Sequence, residues 1–253
     1  MNDLLVAKEQ VRYEQKAYWR NPMAAVFTLA FPVVFLVVVG TTSGTSRVPG
    51  TTLRYDQYTV VAMLTFGLIA ACYTNLAMSI CLRRDSGMLK RMRGTPISIG
   101  SYLGGIIGST MINVAVLAVL VVGIGMGFYH LHFPYHPAAT VVTLLVGIVT
   151  FGAIGLAVTV IVPNADAAPA VVNGIYLPVV FISGVFYPLS NGSVLSRIAG
   201  YFPVRHMIEA LVSAFEGGPG SGLRGHDLVV MLVWAAGALV FAARRFRWEP
   251  RHR

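Results

Sequence analysis

Few residues in this chain have types and spacing suited to chemistry, and most of the familiar arrangements are missing. The sequence contains no HExxH pair, no GxSxG elbow and no pair of carboxylates inside an apolar run, so neither a zinc-centred nor a serine-based hydrolytic site can be assembled. His130, His132 and His136 are close together but irregularly spaced, with aromatic neighbours and no nearby carboxylate. That composition predicts an interfacial loop and no metal site. Cys72 and Cys81 are nine residues apart in one apolar run, on opposite faces of a helix, which predicts neither a disulfide nor a thiolate site. The only lysines are Lys8, Lys16 and Lys90, none in a GxxxxGK[ST] setting. If the chain's work needs energy from a nucleotide, a partner must supply it.

One block does have the makings of a site. From Arg84 it runs Asp85, Ser86, Gly87, Met88, Leu89, Lys90, Arg91, Met92 and Arg93, and closes on Gly94, Thr95 and Pro96. An acidic start, a basic finish and a Gly/Pro stop predict a short helix over 84–96 whose ends suit the helix macrodipole. Met88, Leu89 and Met92 fall on one face and Arg84, Lys90, Arg91 and Arg93 on the rest, an apolar knob with a basic collar that suits docking into a groove. A plain basic anchor beside a membrane is the alternative.

The elements that must position this block are membrane spans. Of 253 residues, 56% are hydrophobic and only 11% charged, where a soluble domain carries about 25% charged residues. Charge-free runs separate Arg20 from Arg47, Asp56 from Arg83, Arg93 from Asp166, Asp166 from Arg197 and Asp227 from Arg244. A span needs about 20 apolar residues, so the runs predict an all-α membrane protein with six transmembrane helices at 23–40, 58–82, 97–128, 138–162, 168–187 and 228–243, in a single transmembrane domain covering 1–253. Pro32 predicts a kink in the first. Nothing at the N-terminus reads as a cleavable leader, so the first span is expected to stay as an anchor.

Residues 3–20 place Lys8, Arg12, Lys16 and Arg20 at i+4 opposite Leu4, Ala7, Val11 and Tyr18, the pattern of an amphipathic helix lying on the membrane surface or, more simply, of a cytosolic helix. Segment 188–226 contains two amphipathic stretches too short to span, interrupted at 200–203. A re-entrant hairpin or an extracytoplasmic loop fits it. Fourteen of the nineteen Lys and Arg residues fall in 1–20, 83–93 and 244–253, which predicts both termini in the cytoplasm, a multi-pass protein of the cell's inner membrane, and explains the net charge of +9 without nucleic acid.

With these residues in view, the chain resembles the transmembrane, or permease, subunits of type-2 ATP-binding-cassette exporters over nearly its whole length. The block Asp85 to Pro96 is similar to that family's coupling helix between spans two and three. The run Ser183 to Leu189, followed by Tyr201, Phe202, Pro203 and Glu209 to Leu211, resembles the end of its fifth span and its re-entrant hairpin, and the N-terminal helix its connecting helix. Asp85 stands where many relatives have Glu, and Val212 where an Arg is common. The absence of a large external domain looks closest to drug and antibiotic exporters of the daunorubicin-resistance kind. The resemblance implies a P-loop ATPase partner carrying ATP and Mg, and a second copy of the chain or a paralogous permease.

It also implies a substrate path between spans one, two and five, which brings forward Thr65, Phe66, Asn75, Asn173, Tyr176 and Phe181 as lining residues; helix-to-helix hydrogen bonding is their other reading. Such a lining suits a small amphipathic or lipophilic substrate. Export of a lipid or polysaccharide precursor, or a non-transport scaffold role, are the alternatives. Phe202, Pro203 and Glu209 are expected at an exit hairpin, with Glu209 either guarding the exit or pairing with Arg205 at i−4. Gly100, Gly104 and Gly108 predict a close helix approach.

Overall fold

The computed structural model describes residues 3–93, 99–189, 192–217 and 220–245. Among them the chain is helical, apart from one isolated antiparallel bridge between Arg47 and Arg54. An amphipathic helix α1 (Asp3–Trp19) leads through Asn21 into α2 (22–42). Next come α3 (Tyr55–Asp85), the short α4 (Met88–Arg93), α5 (Ile99–Phe128) and α6 (Pro137–Ile161). The last four are α7 (Ala168–Ile182), α8 (Val194–Ala199), α9 (Pro203–Phe215) and α10 (Gly225–Arg245).

Four helices are long and apolar enough to cross a membrane: α3, α5 from Gly104, α6 and α10. Two shorter apolar helices, Thr28–Thr42 within α2 and Ala168–Ile182, accompany them. The chain is a multi-pass membrane protein. Helix α3 is central, since every side chain from Tyr58 to Ile69 is buried. At 31 residues it is about 46 Å long, beyond a hydrocarbon core of about 30 Å, and its charged residues, Asp56 and Arg83 to Asp85, lie at its two ends.

Both α2 and α3 carry a π-turn, at Val26–Ala30 and Ala70–Thr74. The first precedes Pro32, which has no N–H for the α-helical bond to Thr28; the wider turn absorbs the misfit that predicted a kink. The two turns are neighbours, and the Asn75 amide just beyond the second donates to the Thr28 hydroxyl in the first. Helix α6 crosses close behind, where a Cβ on Gly155 would meet the Tyr73 carbonyl oxygen at 2.9 Å.

The chain was expected to stay helical to 187, but α7 stops at Ile182. Ser183 caps it and Gly184 follows at φ +89°, a left-handed conformation that a side chain resists. The close approach on α5 also differs by one residue. A Cβ on Gly104 would meet nothing, whereas Gly105 and Gly108 lie directly under Gln10 and Val11 of α1.

Candidate functional site

Helices α2, α3 and α7 share an aromatic seam. Phe31 lies 5.4 Å from Phe66 between ring centres, Phe66 5.8 Å from Tyr176, and Tyr176 5.7 Å from Tyr73. Phe35 and Phe181 each approach Phe186, at 5.3 and 4.7 Å. Such tilted pairs each contribute about 1 kcal/mol beyond the area they bury. The Tyr73 and Tyr176 hydroxyls donate to the carbonyls of Val172 and Phe66, so neither is left unpaired in an apolar setting.

The expected lining residues divide on this seam. Thr65 is fully enclosed and donates to Val61 of its own helix, so it presents nothing to a path. Phe66 and Tyr176 are buried within the seam, and Asn75 ties α3 to α2. Asn75 also borders a polar cavity of about 230 Å³ with Glu14, Arg83 and Asn113. Phe181 is 52% exposed and Asn173 half-buried. These two present their side chains at the surface of α7.

At the Arg83–Asp85 end of α3, successive arginines turn to different partners. Arg83 forms a bidentate pair with Glu14 of α1 and donates to the Tyr102 hydroxyl at 2.9 Å. Arg84, only 3% exposed, donates to the carbonyls of Thr159 at 2.9 Å and Val162 at 2.8 Å, at the end of α6. These are carbonyls that a helix C-terminus leaves without partners. Asp85 accepts from the Ala165 N–H in the turn between α6 and α7. Arg84 and Asp85, expected on a docking surface, therefore clasp the chain to itself.

Gly87, at φ +71°, lets the chain turn from α3 into α4. The knob is also divided. Leu89 is 1% exposed and packs among Ile80, Tyr102 and Ile106, while Met88 is half-buried and Lys90 and Arg91 are exposed. Leu89 faces inward because Tyr102 and Ile106 of α5 supply an apolar partner on the side that helical spacing alone leaves unspecified. The side chains of Met92 and Arg93, and Pro96 altogether, lie outside the described residues.

At the opposite end, Phe202 stacks on Trp234 with ring centres 6.5 Å apart, and Pro203 is buried as it opens α9. Glu209 accepts from Arg205 Nε at 2.6 Å and pairs with Arg224 at 3.2 Å, so the i−4 pairing is made. With Tyr58 and Glu216 these residues line a cavity of about 540 Å³. Beside it His206, Asp227 and His226 come within 4.8 Å of one another.

His206 Nε2 faces the Gly200 carbonyl at 2.9 Å and Nδ1 faces Asp227 at 2.6 Å, while Arg224 Nε holds the other Asp227 oxygen at 2.7 Å. The Gly200 carbonyl can only accept and the Asp227 carboxylate faces the other ring nitrogen, an arrangement that favours the protonated imidazole. The bond to Asp227 is the main cause of its raised pKa. One carboxylate oxygen faces Arg224 and the other His206, while the exposed His226 ring stands 3.5 Å from the oxygen that His206 uses. In the 130–136 loop, His130 offers its carbonyl to Gln57 and the His136 N–H donates to Ala214.

Sequence reasoning missed Glu14, Tyr102, His206 and Asp227. Glu14 is one of three acids in α1, with Asp3 and Glu9, and its spacing does not single it out; Asp227 stands at the edge of an apolar run.

The helical body, with four helices long and apolar enough to cross a membrane, defines a multi-pass membrane protein. The family model described as ABC-2 type transporter matches residues 8–215, and the chain belongs to that family. It is a membrane component of such a transporter: this domain lacks an ATPase site and a cofactor site of its own, and it pairs with a nucleotide-binding ATPase subunit. The scaffold reading falls with that assignment. No individually curated protein matches the chain.

Proposed function

We propose that this subunit exports a small amphipathic or lipophilic molecule, a drug or antibiotic, across the cell's inner membrane. The aromatic seam of α2, α3 and α7 carries the reading, because it brings exposed Phe181 and half-buried Asn173 to one side of a bundle in which the Tyr73 and Tyr176 hydroxyls are paired internally. An apolar face with a single amide attracts planar, weakly polar molecules and offers no charge to bind an ion or sugar phosphate.

In this proposal α2 and α7 are the first and fifth of six spans, both termini are cytoplasmic, and the path closes against a second copy or a paralogous permease. Segment 188–226 is a re-entrant hairpin on the outer side. Its turn at Tyr201 and Phe202 reaches Trp234, nine residues or about 14 Å along α10 from Gly225. Helix α4 is the coupling helix, offering Met88, Lys90 and Arg91 to the ATPase. ATP binding on that partner closes the ATPase pair and displaces α4, and Asp85 at Ala165 passes the pull to the start of α7.

Reconstitution with the cognate ATPase, with ATP hydrolysis measured against an anthracycline and other amphipathic cations, tests the reading. Alanine at Phe181 and at Asn173 is expected to shift half-maximal stimulation at least about threefold while subunit assembly persists. Unchanged stimulation and transport for every compound in both variants would overturn it.

A further inference from the structure

The faces of α6 and α10 away from the core leave a groove of about 520 Å³, lined by Ile154, Val158 and Ile161 on one wall and Trp234, Gly237 and Phe241 on the other. It exists because the helices are tied together higher up, where Thr150 donates to the Met231 carbonyl at 3.1 Å, while Gly237 carries no side chain to fill the space below. A Cβ there would meet nothing within 4 Å. The upper end is closed by the hairpin turn, through the Trp234 Nε1 bond to the Tyr201 carbonyl at 3.0 Å and the Phe202 ring.

The lower end is open and charged. Arg245 follows Phe241 by one helical turn, and Arg244 follows Gly237 by two, so both continue the groove's own stripe. Both are exposed, and neither has an ion-pair partner among the described residues. Asp166, the acid in the turn beyond Ile161, is exposed and likewise unpaired there. From Trp234 to Arg245 is eleven residues, about 16 Å, close to half of a hydrocarbon core of about 30 Å.

We infer that this groove is a binding site for an anionic phospholipid, with one acyl chain lying from Phe241 to Trp234 and the headgroup phosphate on Arg244 and Arg245. An apolar trough one leaflet deep accepts any acyl chain; the two guanidiniums, without ion-pair partners among the described residues, select a net negative headgroup over a zwitterionic one. Each contributes roughly fivefold at a membrane surface. The site is separate from the aromatic seam and does not depend on what is exported.

Trp234 lies in the groove and reports on it directly. Of three tryptophans, Trp19 and Trp248 are replaced by Phe, and the full chain is placed in phosphatidylcholine vesicles. Acyl-brominated phosphatidylglycerol or acyl-brominated phosphatidylcholine is then added, and quenching of Trp234 is followed against mole fraction. The glycerol lipid is expected to reach half-maximal quenching at a mole fraction at least about tenfold lower. R244Q/R245Q should erase that preference and R244K/R245K keep it, while Gly237→Leu, whose Cβ enters open space in the groove, should weaken quenching by both lipids. Equal midpoints for the two lipids in the parent chain, or a preference surviving R244Q/R245Q, overturns the proposal. So does the absence of quenching by either lipid, which would mean that a second copy covers the groove.

Discussion

Arg84 provides the most direct check on how the basic end is built. Its guanidinium spans the end of α6, donating at 2.9 and 2.8 Å to Thr159 and Val162, with the third nitrogen 3.5 Å from Asp85. A hydrogen bond from a charged donor contributes about 1.5–3 kcal/mol, and truncation here leaves two carbonyls without partners at a buried position. Arg84→Ala is therefore expected to cost about 3–5 kcal/mol. Lysine, which offers a single point charge in place of a fork, should recover about half of it. Arg91, exposed one turn into α4, is the control: its replacement should cost no more than about 0.5 kcal/mol. Thermal unfolding of the purified subunit reads the difference, on the order of 10 °C for Arg84→Ala at this chain length. Substrate-stimulated ATP hydrolysis in the reconstituted complex should fall with it, since the clasp links α3 to the turn before α7. If Arg84→Ala melts within about 1 °C of the parent and stimulation is retained, the clasp is incidental.

Three further outcomes follow from the same geometry. Met88→Asp should weaken capture of the ATPase by roughly a hundredfold, the equivalent of ~3 kcal/mol, with melting unchanged, whereas Leu89→Asp should lower the melting temperature because Leu89 is internal; pull-down beside thermal unfolding separates the two. Gly155→Val should disrupt the contact of α6 with the π-turn of α3, where its first carbon already meets main-chain atoms at 2.9 and 3.1 Å, giving a loss of several degrees in melting temperature. For His206 the raised pKa sets the sign: its pairing with Asp227 stabilises fully below the free histidine value of 6.5 and is lost as pH rises through the raised value. Melting measured from pH 6 to pH 9 should therefore decline in the parent and decline less in His206→Gln.

The helices were legible because burying a charge in hydrocarbon is costly, so the charge-free runs mark where the chain can enter it. Limits were legible only where a local signal exists: Pro137 opens α6 and Pro169 lies in the first turn of α7, while Gly184 with its left-handed backbone follows the end of α7. Orientation about each helix axis was not legible. In a soluble protein, polarity separates the inner face from the outer, but in a membrane the lipid and the core are equally apolar, so Gly104 and Gly105, or Met88 and Leu89, cannot be told apart by type. Their difference comes from α1 and α5, whose placement depends on pairs far apart in sequence, such as Glu14 with Arg83 and Gln15 with Asn113. The same holds for Arg84: the basic block reads as a single cationic surface until the unpaired carbonyls of α6, 75 residues away, draw one of its members inward. A docking knob inferred from helical spacing alone therefore overstates the surface, since the side chains free for a partner are those left after the chain's own helix ends have been satisfied.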